Sequence, residues 1–212
     1  MSLREQAYDS FTTHLLSRRI QSGQFISQRE LTQILDVPLG AVREMIPRLE
    51  ADGLIRTMPH RGLQVAPVDM GFIRNAFQLR HMLEREAVAE FAVNAPAEEI
   101  ENLRKAHEEV RAQGVEGVTP ELLAHAQDMD WRMHQRMIDA LGNELVSGIY
   151  RTNLIKIRLI RSEDTRMLPE LLVAVMDEHL AIIDALANRD SQAAVQALDM
   201  HIDSARQRVL RI

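Results

Sequence analysis

Between Asp69 and Ile212 no stretch alternates apolar and polar residues; apolar residues recur instead at three- and four-residue steps, the spacing of one helix face. A chain patterned this way folds as packed helices. Breaks at Asn94-Ala95-Pro96, at Gly114 with Gly117 and Pro120, at Gly142-Asn143, at Leu168-Pro169 and at Asn188-Arg189-Asp190 divide it into six helical segments, 69–93, 97–113, 119–141, 143–162, 168–187 and 190–211.

Four polar residues interrupt these apolar stripes. Asp130 and His134 stand among Leu123, Ala126, Met137 and Leu141, one turn apart on an inward face. His179 falls within Leu172, Val175, Met176, Ile182, Ile183 and Leu186, and His201 within Ala194, Leu198 and Ala205. An unpaired buried carboxylate costs several kcal/mol or loses its charge. One divalent ion would satisfy a carboxylate and three imidazoles together. The competing reading is a hydrogen-bonded core histidine, as for His107 on the stripe Ile100, Leu103 and Val110. Three nitrogens and one carboxylate oxygen suit zinc, with nickel or manganese as further options. Two more polar residues face inward: Arg80 among Ile73, Ala76, Phe77, Leu83 and Ala87, and Asn153 between Ile149 and Ile157. A buried guanidinium demands an anion, which Glu84 one turn later could supply; a bound organic acid is the other source.

Composition excludes several classes. The chain has no cysteine, which removes disulfides, thiolate ligands and cysteine catalysis. No apolar run is long enough to span a bilayer, and the N-terminus lacks the layout of a signal peptide, so a cytoplasmic protein with no membrane partner is expected. The net charge of −6 divides unevenly: residues 1–68 hold eight Arg against seven Asp and Glu, whereas residues 69–212 hold 17 Lys and Arg against 24 Asp and Glu. Every cation of the first part is an arginine, the residue suited to bidentate phosphate and guanine contacts.

That first part has a different texture. Leu3 to Ile20 reads as a helix with Ala7, Phe11, Leu15 and Leu16 on one face; Ser27 and Glu30 form a capping box for a short helix at Gln28–Leu35. Pro38 opens a third helix carrying Val42, Met45 and Leu49, and Gly53 ends it. Leu54–Thr57 and Leu63–Val65 flank the turn Met58-Pro59-His60-Arg61-Gly62. Three helices and a two-stranded wing make a winged helix-turn-helix. The fold class is mainly α, with a DNA-binding domain at 1–68 and a helical antiparallel bundle at 69–212.

The stretch from Arg43 to Ile55, REMIPRLEADGLI, followed by Arg61-Gly62-Leu63-Gln64-Val65, resembles the GntR family of bacterial transcription regulators. The remainder is similar to the effector-binding FCD domain of the FadR subfamily, six helices pointing to its VanR-type branch. It matches at 79–84, at Asp130-Trp131-Arg132-Met133-His134, at Gly142-Asn143, at Glu178-His179 and at Met200-His201. The resemblance implies a homodimer on palindromic operator DNA. It also implies a small carboxylate effector beside the metal, bound by Arg80, with the inward Asn153 as a second candidate from its position, and DNA contacts from Arg29, Arg43, His60, Arg61 and Gly62. Two departures stand out. Pro38-Leu39-Gly40-Ala41 replaces the family's Ser-Arg-Thr-Pro, and Pro47 falls inside the recognition helix, where it should kink the backbone. A metal-dependent helical-bundle hydrolase or lyase is the alternative from another class, and a purely structural metal the alternative within this one.

Overall fold

Serine caps start the first two helices. Ser2 and Glu5 close a capping box on α1 (Leu3–Leu16), and Ser27 and Glu30 close another on α2 (Gln28–Leu35), each satisfying two N–H groups that a helix start leaves open. In this computed structural model, residues 2–163 and 168–210 are described, without the side chains of 161–163. The expected helix end at Arg211 lies outside them.

Helix α3 (Leu39–Ala51) follows α2 after a turn in which Asp36 takes a left-handed conformation, φ 52°. It runs unbroken through Pro47. Pro47 is exposed, so water can replace the donor that the ring removes from the Arg43 carbonyl. Gly53 stops the helix at φ 69°, as the sequence predicts. Tyr8 of α1 donates to Asp52 Oδ2 at 2.7 Å and lies under the Arg48 guanidinium, fastening the end of α3 to α1.

The wing differs from the expected two-stranded form. Phe25–Ile26 forms a short β1, and the sheet order is β1-β3-β2, with β2 at Ile55–Met58 and β3 at Gly62–Val65, both pairings antiparallel. Two residues are too few to show an alternation. Ile26, Leu63 and Val65 are buried with Phe11, Leu15, Leu31, Met45 and Leu49 in one core. Gly62 is needed here for its backbone: φ is 83°, and a Cβ would come 3.0 Å from the Ile26 carbonyl oxygen.

Six helices follow among the described residues: α4 (Met70–Asn94), α5 (Ala97–Glu116), α6 (Pro120–Ala140), α7 (Glu144–Glu163), α8 (Leu172–Ala187) and α9 (Ser191–Leu210), with a 3-10 turn at Pro169–Leu171 before α8. Helix α5 passes through Gly114, where the sequence predicts a break. A Cβ at Gly114 would lie 2.4 Å from Leu172 Cδ2, so the glycine serves close packing of α5 on α8. Contacts divide the chain into two compact units, residues 1–76 with 154–163, and residues 77–153 with 164–212. In the first, Leu159 of α7 is buried in the winged-helix core. In the second, the stripes of α8 and α9 are buried as patterned, and so are Arg80 and Ala87 of α4 and Ala126, Asp130, His134 and Met137 of α6, whereas Leu83 of α4 and Leu123 and Leu141 of α6 are only half-buried.

Candidate metal centre and nucleic-acid interface

Asp130, His134, His179 and His201 meet in the interior of the second unit, none more than 2% exposed. One ligand atom from each lies within 4.8 Å of all the others. Asp130 Oδ1 is 3.3 Å from His134 Nε2 and 3.5 Å from His179 Nε2, while Gln127 donates to its other oxygen at 3.1 Å. His134 and His201 stack at 5.1 Å between centroids, with their Nε2 atoms 3.2 Å apart.

The surroundings fix the roles of these nitrogens. His134 Nδ1 lies 2.8 Å from Glu84 Oε2, and His201 Nδ1 lies 2.9 Å from Glu178 Oε2. A carboxylate at Nδ1 makes that nitrogen the N–H donor and leaves Nε2 the lone pair. Two lone pairs then face each other at 3.2 Å, an arrangement that repels unless a cation stands between them. The residues therefore fit a divalent ion, and carboxylates behind ligating histidines are the usual outer support of such sites. Without an ion, a proton can take its place. Burial opposes charge on His134, but Glu84 and Asp130 together outweigh it and raise its pKa. Burial pushes His179 down to about 3 and His201 well below the usual imidazole range.

Arg80 and Glu84 are both buried, and Arg80 Nε donates to Glu84 Oε1 at 2.8 Å. The internal anion thus takes at least one of the five donors of Arg80. Tyr150 of α7 donates to the same Glu84 oxygen at 2.6 Å. Burial works against the Glu84 charge, yet Arg80 beside it holds the carboxyl well below the usual carboxylate range. Asn153 is buried three residues after Tyr150, on the same side of α7. Glu178 also accepts from Arg208 of α9. Sequence reasoning named Glu84 as a partner of Arg80, but missed Tyr150, Arg208 and the second-layer role of Glu178. The one signal available was the carboxylate directly before His179.

In the first unit, Arg29, Arg43, His60, Arg61 and Gly62 are all exposed. Arg43 Nε donates to Gln28 Oε1 at 3.3 Å, which places the start of α2 beside the exposed face of α3. His60 and Gly62 occupy the wing tip with positive φ, and Arg61 lies over the Phe25 ring at 5.7 Å. Pro38 gives α3 no side-chain cap, and a Cβ at Gly40 would meet nothing within 4 Å.

Residues 3–65 match the model of the bacterial regulatory proteins of the gntR family, and residues 75–204 match the FCD domain. The chain belongs to the GntR family, in the branch that carries an FCD domain. It is 24% identical over 210 residues to the uncharacterized HTH-type transcriptional regulator BphR of Paraburkholderia xenovorans strain LB400, covering 96% of this chain and 84% of that one. Its fold is that of E. coli McbR/YncC, with a TM-score of 0.77 at 15% identity over 100% of this chain and 98% of the other. It is also similar to the metal-free FCD domain of TM0439, with a TM-score of 0.57 at 23% identity over 69% of this chain and 96% of that domain. This GntR/FCD protein is a DNA-binding transcription regulator; its relatives are regulators and not enzymes, which removes the hydrolase or lyase alternative. Among the described residues, no helix is long and apolar enough to cross a membrane.

Proposed function

We propose that this GntR/FCD protein is a metal-containing regulator whose operator binding is controlled by a small carboxylate held beside the ion. The domain division follows the sequence: residues 1–68 bind DNA, and residues 69–212 bind metal and effector. The observation that carries the reading is the convergence of Asp130 Oδ1 with the Nε2 atoms of His134, His179 and His201 in a buried site. Zinc suits three imidazoles and one carboxylate, and nickel or manganese would also be accepted.

Charge argues for the class of effector. Glu84 is offset by Arg80, and Glu178 by Arg208. A divalent ion with Asp130 then leaves one positive charge in the interior, which a carboxylate would neutralise. Arg80 keeps donors beyond the one given to Glu84, and with Asn153 it would hold the effector beside the ion. On DNA, Arg43 of α3, Arg29 of α2 and the wing tip His60-Arg61-Gly62 make the contacts, with the uncapped start of α3 open to a phosphate. A homodimer on a palindromic operator follows from the few base contacts that one winged helix offers.

The engagement of Arg80 by Glu84 favours a second reading, in which the ion is structural or is itself the signal. Elemental analysis of gently purified protein beside an Asp130→Ala/His201→Ala variant tests the site, and operator binding with and without small carboxylates tests the effector. Near-stoichiometric metal that disappears in the variant supports the centre; no metal in either protein refutes it. Operator affinity that responds to an acid only in the metal-loaded protein supports the first reading, and a response to metal alone supports the second.

A further inference from the structure

Behind two of the three histidines stands a carboxylate; behind His179 stands another histidine. His107 of α5 and His179 of α8 are both 0% exposed, and their rings meet edge to face at 5.2 Å between centroids and 73° between planes. His107 Nδ1 lies 2.7 Å from the Leu103 carbonyl oxygen, which can only accept. Nδ1 of His107 must therefore carry the proton, and its Nε2 is a buried lone pair with no hydrogen-bond partner among the described residues. His179 presents the complement. Its Nε2 faces Asp130, and its Nδ1 is buried with no hydrogen-bond partner among the described residues. A buried acceptor and a buried nitrogen that can donate, on rings already in edge contact, are a small rotation from satisfying each other. Each left alone is a buried polar group without compensation for its lost water.

We propose that His107 is the positioning residue of the third ligand: Leu103 O accepts from His107 Nδ1–H, His107 Nε2 accepts from His179 Nδ1–H, and His179 Nε2 is thereby held as a lone pair toward the centre. This proposal rests on the metal reading above and goes beyond it. His107 is not a ligand; it fixes the tautomer and ring angle of one. It also explains why a neutral group stands here. Glu84 and Glu178 each have an arginine beside them, whereas a third buried carboxylate would need a third cation. A neutral histidine sets the tautomer without adding charge.

The test uses the full chain, with cobalt(II) as a spectroscopic probe and zinc(II) in competition with a chelator of known affinity. His107→Phe keeps a ring but has no acceptor; His107→Gln can accept through its amide oxygen and donate to Leu103 through its nitrogen. The expected result is a roughly 10- to 100-fold loss of zinc affinity in His107→Phe, the usual cost of losing such outer support. An altered cobalt spectrum and substantial recovery in His107→Gln should accompany it. Zinc affinity and spectrum equal to wild type in His107→Phe overturn the proposal. If His107→Phe does not fold, His107→Gln is compared with wild type through imidazole nitrogen NMR. His107 in the Nε2–H tautomer, with or without metal, overturns it as well. That spectrum also separates the two readings. Wild type that takes no metal defeats the metal centre, whereas wild type that binds metal with His107 as the Nε2–H tautomer defeats only the role of His107.

Discussion

At the scale of single residues, the facing Nε2 atoms of His134 and His201 call for a cation between them, a metal ion or, in its place, a proton. Removing His179, whose Nε2 approaches the same carboxylate, should release the ion and weaken any effector response; metal content and response equal to wild type in His179→Ala would remove it from the site. Arg43, exposed on α3, should behave as a DNA contact. Arg43→Ala is expected to cost about 1–3 kcal/mol of operator binding, and an unchanged gel shift would contradict that role. The four residues of the centre are legible in the sequence because each stands where an aliphatic side chain belongs. Their supports are not. Tyr150 and His107 stand on α7 and α5, which carry none of the four, and helical spacing within one segment carries no trace of which neighbours will face it; Arg208 stands two turns after His201 on α9, but its partner Glu178 belongs to α8. Arg80 shows the same limit from the other side: its inward position is readable, but the choice between Glu84 and a ligand depends on how α4 meets α6 and α7.

At the scale of elements, the helices from Met70 to Leu210 follow the sequence because caps, breaks and periodicity agree. The exceptions have local causes. Gly114 reads as a stop, yet its missing side chain lets α5 approach Leu172. Gly114→Ala should therefore lose stability despite alanine's better helix propensity. Overpacking costs about 1–3 kcal/mol against a gain of roughly 1 kcal/mol from the helix, so a net loss near 1 kcal/mol is expected in chemical denaturation. A stabilised variant would mean that Leu172 moves aside freely. Ser27→Ala breaks the α2 capping box and should cost about 1 kcal/mol, read in the same experiment. The strand at Phe25–Ile26 escaped the sequence because its only signature is its partner, β3.

At the scale of the whole molecule, a proton would compete with the proposed metal for the same interior. Once the ion is stripped by a chelator, His179 and His201 hold depressed pKa values in the folded chain. A histidine depressed in the fold stabilises above its unfolded value near 6.5, and that contribution is lost as the pH falls toward the folded value, about 3 for His179. His134 is raised and acts oppositely, contributing below about pH 6.5 and losing that as the pH rises through its folded value. Two depressed groups outweigh one raised group, so the melting temperature of stripped protein should fall between pH 7 and pH 4. A flat or rising melting temperature would mean that these imidazoles are not buried and neutral. The central place of β3 in the wing has a different bearing, on the DNA itself. Hydrogen bonds to Phe25 and Ile26 on one edge and to β2 on the other make the tip an arm fixed to the body that carries α3. Such a body acts as a caliper of one opening, so an operator with one base pair inserted between the contacts of α3 and those of the wing tip should be rejected even when every contacted base is intact.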